Sequence, residues 1–442
     1  MKIELEGHFG YKRLVVSALP GVLMMLVESI YSVVDGLFVS NFVGTTAFAA
    51  LNVIWPAIML IGAIGLMVGT GGSALVSMTM GQGDRDRANS LFSMLVRFVL
   101  VTSIVFSVPL YVLMEPISRV LGAEGEMLRQ CVIYGRICAV GLPGFMLQMA
   151  FQSLYMTAEK PQLGTIMSVV SAVINMTLDA LFIVGFKWGL AGAAAATSIA
   201  SMVGGFFPLW YFHSRRNGSA LRLVPAAFEH RPIVKACSNG LSEYVGNISF
   251  NILAISYNLQ LLRLMGENGV AAYSVLLYYS YIFAAIFFGY NITLTPVIGF
   301  HYGAANRGEL RSLRRHSLIL VLALGCIITV ASELSAGPAA RLFVGYDPEL
   351  TALTVKAIRI SMISFVLVGV NLFTSAWFTG LGNGKISAAS ALIRNLVLEL
   401  GFVFLLPALF GPDGIWFAVD AAELCCLGVS AWLLTHVKPS YS

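Results

Sequence analysis

Charge is what this chain has least of. Only 11% of its 442 residues are Asp, Glu, Lys or Arg, against about 25% in soluble globular domains. In its place stand 58% hydrophobic residues and a mean hydropathy of +0.83, which excludes a soluble globular fold and indicates a polytopic membrane protein. Runs of alternating polarity are lacking, which argues against a transmembrane barrel. No Walker motif, dinucleotide fingerprint or HExxH run occurs, which argues against ATP hydrolysis and zinc proteolysis. The six cysteines (Cys131, Cys138, Cys237, Cys326, Cys425, Cys426) have no CxxC spacing and read as small buried hydrophobes. The six histidines mostly flank apolar runs, and a net charge of +5 says nothing of nucleic acid. MKIELEGHFGYKR is short, polar and mixed in charge, so no cleavable signal peptide is expected.

What is present is a series of apolar runs, near 14–39, 46–80, 87–114, 126–157, 162–186, 189–212, 232–264, 269–301, 310–336, 350–380, 385–408 and 412–436. Twelve spans put both termini on one side. Basic residues choose that side: Lys12, Arg13, Arg85, Arg87, Lys160, Arg215, Arg216, Arg222, Arg231, Lys235, Arg307, Arg311, Arg314, Arg315, Lys385 and Lys438 fall together. Both termini are therefore expected in the cytoplasm, with the basic connector on the same side.

The two halves repeat. GTTAFAALNV at Gly44 aligns with GENGVAAYSV at Gly266, and GQGDRDRANSL at Gly81 with GAANRGELRSL at Gly303; both offsets are 222 (266 − 44 and 303 − 81). Phe151 and Phe373, and Gly189 and Gly411, start further pairs at the same offset. The expected fold is all-α, with twelve transmembrane helices in two six-helix lobes related by a parallel pseudo-twofold axis. The expected division is 1–213 for the first lobe, 214–231 for a cytoplasmic connector and 232–442 for the second lobe. Pro20, Pro56, Pro143 and Pro296 fall inside spans and permit kinks.

Acids inside the apolar runs are the functional signal, since each ionised acid at mid-membrane costs roughly 2.5–3.5 kcal/mol on insertion scales. Glu28 and Asp35 are seven apart on span 1 and share a helical face, with Tyr31 and Ser32 between them. Arg97 and Arg136 are the basic candidates for pairing with Asp35. On span 5, Asn175 and Asp179 stand one turn apart and could hold a proton or a small cation; Thr197 of span 6 is a weaker signal. Span 7 carries the stripe Glu243, Asn247, Asn251. Arg394, Asn395 and Glu399 of span 11, with Asp420 and Glu423 of span 12, read as a mutually neutralising structural network. Methionines and aromatics, among them Met24, Met146, Tyr273, Tyr279, Tyr281 and Phe287, could line an adaptable cavity, though any one of them reads first as ordinary packing.

YSVVDGLFVSNFVGTTAFAALNV, GTGGSALVSMTMGQGDRDRA, NMTLDALFI, GLAGAAAAT and TPVIGFHYGAANR together resemble the multidrug and toxic compound extrusion (MATE) transporters over essentially the whole chain. The resemblance implies secondary antiport, in which an inward proton or sodium gradient drives export of organic, often cationic, compounds. It implies an ion site in the first lobe at Asp35, Asn175, Asp179 and Thr197, which could hold sodium, with Tyr31 and Gln152 as neighbours and Glu243 as a further acid. Two departures stand out: Asn371 where some relatives have an acid, and Glu28 where an amide is common. The expectation is an inner-membrane exporter, not an enzyme, with no cofactor, working as a monomer in the lipid bilayer on small organic cations. A flippase for a lipid-linked precursor and an intramembrane enzyme are the alternative classes. The candidate cavity is more acidic than a phosphate-carrying lipid would suit, and no His motif or clustered acid pair of membrane transferases is visible.

Overall fold

The computed structural model describes residues 4–214 and 218–437, so the charges expected at Arg215, Arg216 and Lys438 lie outside the described residues. The described chain is helical, with no strand among the described residues. In order the helices are α1 (Tyr11–Phe38), α2 (Thr45–Gly81), α3 (Arg85–Val112), α4 (Met114–Val120), α5 (Gly125–Thr157), α6 (Pro161–Asp179) and α7 (Leu190–His213). The second half follows with α8 (His230–Asn239), α9 (Leu241–Gly303), α10 (Arg307–Val344), α11 (Pro348–Ser361), α12 (Phe365–Gly380), α13 (Gly384–Leu392), α14 (Leu400–Phe410) and α15 (Ala418–His436). Several join into single spans: α11 with α12, α13 with α14, and α15 with the short turn Pro412–Phe417 before it.

Eleven continuous helical stretches among the described residues are long and apolar enough to cross a bilayer. One of them, α9, has 63 residues. At 1.5 Å per residue it would run about 95 Å, three times the hydrocarbon thickness, so it cannot be one crossing. It breaks at Gly266, whose φ of 66° and ψ of −153° are not helical, and the break falls inside the expected gap between 264 and 269. Twelve crossings result. Span 9 runs longer than expected, to Val344, and span 7 is divided near Gly240 into α8 and α9. Gly240 lies so near the Met67 carbonyl that a Cβ would stand 1.9 Å from it.

The repeat written in the sequence is visible in the turns. Asp84 caps α3, accepting from Arg87 N at 2.9 Å, and Asn306, 222 residues on, caps α10, accepting from Glu309 N at 3.0 Å. Gly44 and Gly266 both take positive φ, which only glycine adopts without strain.

The lobes meet where α2 packs on α8 and α9, and where α1 packs on α9. A Cβ on Gly81 would lie 2.0 Å from the Phe300 carbonyl, and one on Gly303 2.0 Å from the Met78 carbonyl. Backbone touches backbone there. Both glycines end their helices, and the basic turns that start with Arg85 and Arg307 follow directly, so the lobes are sealed at the basic end of the bundle.

The N-terminal segment crosses this seal. Leu5 N donates to Glu159 Oε1 at 2.9 Å in the first lobe, whereas Phe9 N donates to Glu309 Oε1 at 2.8 Å in the second. Leu5 and Phe9 are buried. Residues 218–229 run along α3 instead: Arg222 N and Val224 N donate to Asn89 and Ser93, and Arg87 makes a two-pronged pair with Glu229 at 2.6 and 2.7 Å.

Candidate functional site

Asp35 is eight residues before the end of span 1 at Val43 (43 − 35), and Asp179 is the last regular residue of α6. Within one turn after Asp35, and directly after Asp179, the helix widens into a π turn, Val39–Val43 after α1 and Ala180–Gly185 after α6, and the two wide turns touch. A π turn adds a residue to the loop closed by each hydrogen bond and rotates the side chains around it, and such turns recur at functional sites. Periodicity cannot reveal this, because an inserted residue changes the register by only part of a turn.

The geometry brings the two aspartates together. Their carboxyl groups lie within hydrogen-bonding reach of one another. Carboxylates carry only acceptors, so that contact becomes a bond when one oxygen holds a proton. Among the described residues no donor reaches Asp35 Oδ1, Asp179 Oδ1, Asp179 Oδ2 or Asn175 Oδ1, all shielded from solvent. Asn175 Nδ2 donates to Thr197 Oγ1 at 3.3 Å, tying span 5 to span 6 and leaving the amide oxygen unclaimed. Asp179 and Asn175 are fully buried; Asp35 is partly so. Two carboxylates in contact cannot both stand ionised in an apolar lobe without a cation, and the four acceptor oxygens fit a proton or a small cation with oxygen ligands.

Neither basic candidate supplies the counter-charge. Arg97 donates to the Val224 and Ala226 carbonyls, and Arg136 lies 5.4 Å over the Tyr111 ring. Tyr134 and Cys138 of α5, which the sequence did not single out, lie buried within electrostatic range of the pair. Nothing separates them by sequence from other packed tyrosines and cysteines.

Glu28 belongs to the same face of α1 but makes different contacts. Gln152 Nε2 donates to both of its oxygens, at 2.9 and 2.8 Å, and Ser168 Oγ to one at 3.5 Å. Tyr31 stands near both Glu28 and Asp35, and the exposed Tyr281 of α9 faces it from the other lobe. Ser32 is exposed. Glu243 and Asn247 of α9 are half-buried, and among the described residues no contact joins them to the aspartate pair; the Asn247 carbonyl accepts from Asn251 at 2.9 Å.

The second lobe is built differently. Arg394 Nη2 and Nε reach Glu423 Oε1 at 2.5 and 2.7 Å, Asn371 Nδ2 donates to Glu423 Oε2 at 2.7 Å, and Ser430 Oγ closes on Asn371 Oδ1 at 2.7 Å. Arg394 and Glu399 lie in a third wide turn, Ile393–Glu399. Glu423 thus has its arginine, as the structural reading expected, but Asp420 of the same expected network does not join it: among the described residues neither of its buried oxygens has a hydrogen-bond partner. Of the aromatic set, Tyr279 and Tyr290 are buried and bonded to Ser335 and Ser317, whereas Tyr278, Tyr281 and Phe288 stay exposed.

Twelve crossings in two parallel repeats, with an uncompensated acid pair inside one lobe, define a polytopic membrane protein of the transporter class. The chain belongs to the MatE family: the family model matches residues 20–181 and again 244–405, so each lobe is one copy. It is 22% identical over 429 residues to multidrug export protein MepA of Staphylococcus haemolyticus, covering 97% of this chain and 94% of that protein. The Staphylococcus aureus protein of the same name is 20% identical over 431 residues, with the same coverage. Among solved structures, a MATE crystal structure in complex with MaL6 superposes with a TM-score of 0.91 at 22% identity, covering 96% of this chain and 95% of that one. A multidrug resistance MATE transporter of the MOP superfamily in its outward-facing conformation gives 0.88 at 23%, with the same coverage. The family is one of membrane transporters, not enzymes, and this chain is a multi-pass membrane protein of it.

Proposed function

We propose that this chain is a secondary active antiporter of the cell's inner membrane, exporting organic, cationic drugs or toxic compounds in exchange for protons or sodium. One observation carries the reading: Asp35 and Asp179 meet inside an apolar lobe, with Asn175 beside them, and among the described residues no donor reaches Asp35 Oδ1 or either Asp179 oxygen. Such a pair is stable only with a cation bound, so its charge changes when the ion arrives or leaves.

Proton or sodium binding at Asp35, Asn175, Asp179 and Thr197 discharges the pair and reseats the two wide turns beside it. The packing of spans 1, 5 and 6 changes with it. Because α1 packs directly on α9, that change reaches the lobe interface and favours outward release of the organic cation. The carboxylates reset by losing the ion to the cytoplasm. The curated relatives' description as multidrug export proteins supports export of drugs as the direction and class. The basic ends of the helices support a cytoplasmic location for both termini, and with that orientation the sealed basic end makes this conformation outward-facing. The protein works as a monomer, each copy containing both lobes.

The test is uptake of a fluorescent organic cation into everted vesicles under pH and sodium gradients imposed separately. Wild type accumulates the dye under at least one gradient; Asp35→Asn does not, while remaining folded and monodisperse. Full gradient-driven uptake by Asp35→Asn would remove the mechanism.

A further inference from the structure

Glu28 stands two helical turns from Asp35, about 10 Å along α1. Its carboxylate opens on a separate cavity inside the first lobe, with room for about one water molecule. Gln148, Gln152, Tyr155, Ser168 and Ser171 line it together with Glu28. Two of these aim unused polar atoms: the Tyr155 hydroxyl, on a side chain 3% exposed, and Gln148 Oε1 have no partner. Buried polar groups are nearly always satisfied, so a hydroxyl and an amide oxygen left bare beside a carboxylate call for an occupant.

Charge and size narrow that occupant. The lining holds one carboxylate and no arginine, lysine or histidine, so one positive charge neutralises it and a divalent ion would leave an excess in an apolar lobe. The remaining ligands are neutral oxygens, suited to a hard cation or to the hydrogen bonds of water. A space for one water admits a sodium ion or a water carrying a proton to Glu28. Gln152, bonded to both Glu28 oxygens, fixes the carboxylate for either.

We infer that the Glu28 pocket is a second cation site, taking one monovalent cation, sodium or a proton, separately from the aspartate pair. The inference rests on the antiport reading above and deepens it. Exchange of one inward cation for one outward organic cation moves no net charge, so only the ion gradient drives it. A second inward cation makes each cycle move one charge inward, and the membrane potential then contributes about 50-fold to the attainable gradient per 100 mV.

The experiment uses the full chain in proteoliposomes with ethidium as the transported cation. In one arm a pH or sodium gradient is imposed at zero potential; in another a potassium diffusion potential is imposed with both ions symmetric. Wild type responds to potential. Glu28→Gln, which is isosteric and keeps an acceptor for Gln152, retains gradient-driven transport and loses the potential-driven part. In parallel, proton uptake by the purified protein at stepped pH and radioactive sodium binding at fixed pH name the cation: Glu28→Gln takes up one fewer in the arm that responds. Tyr155→Phe keeps the carboxylate and the ring packing and weakens Glu28-dependent uptake about tenfold, the loss expected for one ligand. Potential-driven transport and cation uptake in Glu28→Gln equal to wild type overturn the second site. Asp35→Asn separates the two readings, since its loss of all coupled transport is expected whether or not Glu28 binds a cation.

Discussion

Arg394 holds Glu423 at 2.5 Å inside the second lobe, and Glu423 has no exposed surface. In the first lobe Asp35 has Asp179 beside it and, among the described residues, no arginine. Glu423 is thus compensated by an arginine, and the Asp35–Asp179 pair is not.

Breaking the compensated pair should cost stability. Arg394→Met leaves Glu423 charged, unpaired and buried, a loss of about 3–5 kcal/mol, whereas the double change Arg394→Met with Glu423→Leu recovers most of it. Thermal unfolding in detergent, read by intrinsic fluorescence, checks both; equal melting of the single variant and wild type contradicts the structural role.

Removing charge from the other pair should do the opposite to stability while ending function. Asp179→Asn relieves like-charge contact, so its melting temperature matches or exceeds wild type, yet coupled dye uptake falls to the empty-vesicle level. Thr197→Val removes the hydroxyl that orients Asn175 and borders the ion, and weakens the ion affinity about tenfold without abolishing transport. The dependence of uptake rate on ion concentration is the readout.

The glycines of the lobe seal give a conformational prediction. On Gly81 a methyl group would meet the Phe300 carbonyl at 2.0 Å, with backbone on the far side that cannot give way. Gly81→Ala therefore pries the basic end open. A cysteine at Ser77, fully buried here, placed in a background lacking native cysteines, should react faster with a water-soluble maleimide when Gly81→Ala is present.

Glu309 ties down the N-terminal segment by accepting from Phe9 N and pairing with the His8 ring, each at 2.8 Å. Glu309→Ala removes charge-assisted hydrogen bonds of about 1.5–3 kcal/mol each. Amide exchange at residues 5–9 should rise by at least tenfold with the rest of the chain unaffected.

At the connector, hydrogen bonding from Arg87 lowers the Glu229 carboxyl below its ordinary value, against a smaller opposing effect of desolvation. A carboxyl lowered in the folded state contributes stability above its unfolded value and loses it as pH falls through the folded one. Protease cleavage within 218–229 should thus stay slow at neutral pH and speed up under acid conditions below the usual carboxylate range, and Glu229→Gln should be cleaved readily at all pH values. The pair is exposed, so the effect stays local.

Much of this was legible in the chain because it rests on local pattern. Apolar run length fixes the crossings, and the offset of 222 fixes the duplication down to the paired caps Asp84 and Asn306. The family model's two matches begin at 20 and 244, an offset of 224 (244 − 20), the same duplication read with slightly different spacing. The acids announced themselves because charge is expensive in lipid. Their partners did not, since Arg97 and Arg136 were as plausible in sequence as Arg394, and only the fold sends the first two to a linker carbonyl and a tyrosine ring.

The sequence by itself determined that this is a duplicated, twelve-crossing helical membrane protein with Asp35 and Asp179 inside it, because hydropathy and repetition are properties of neighbours along the chain. Tertiary structure alone decided that those two acids touch without a base, that Glu28 turns to Gln152 and a separate cavity, and that the lobes close at the basic end. Each of these depends on which faces of distant helices meet, and that is set by packing of backbone on backbone at glycines and by wide turns that shift the helical register.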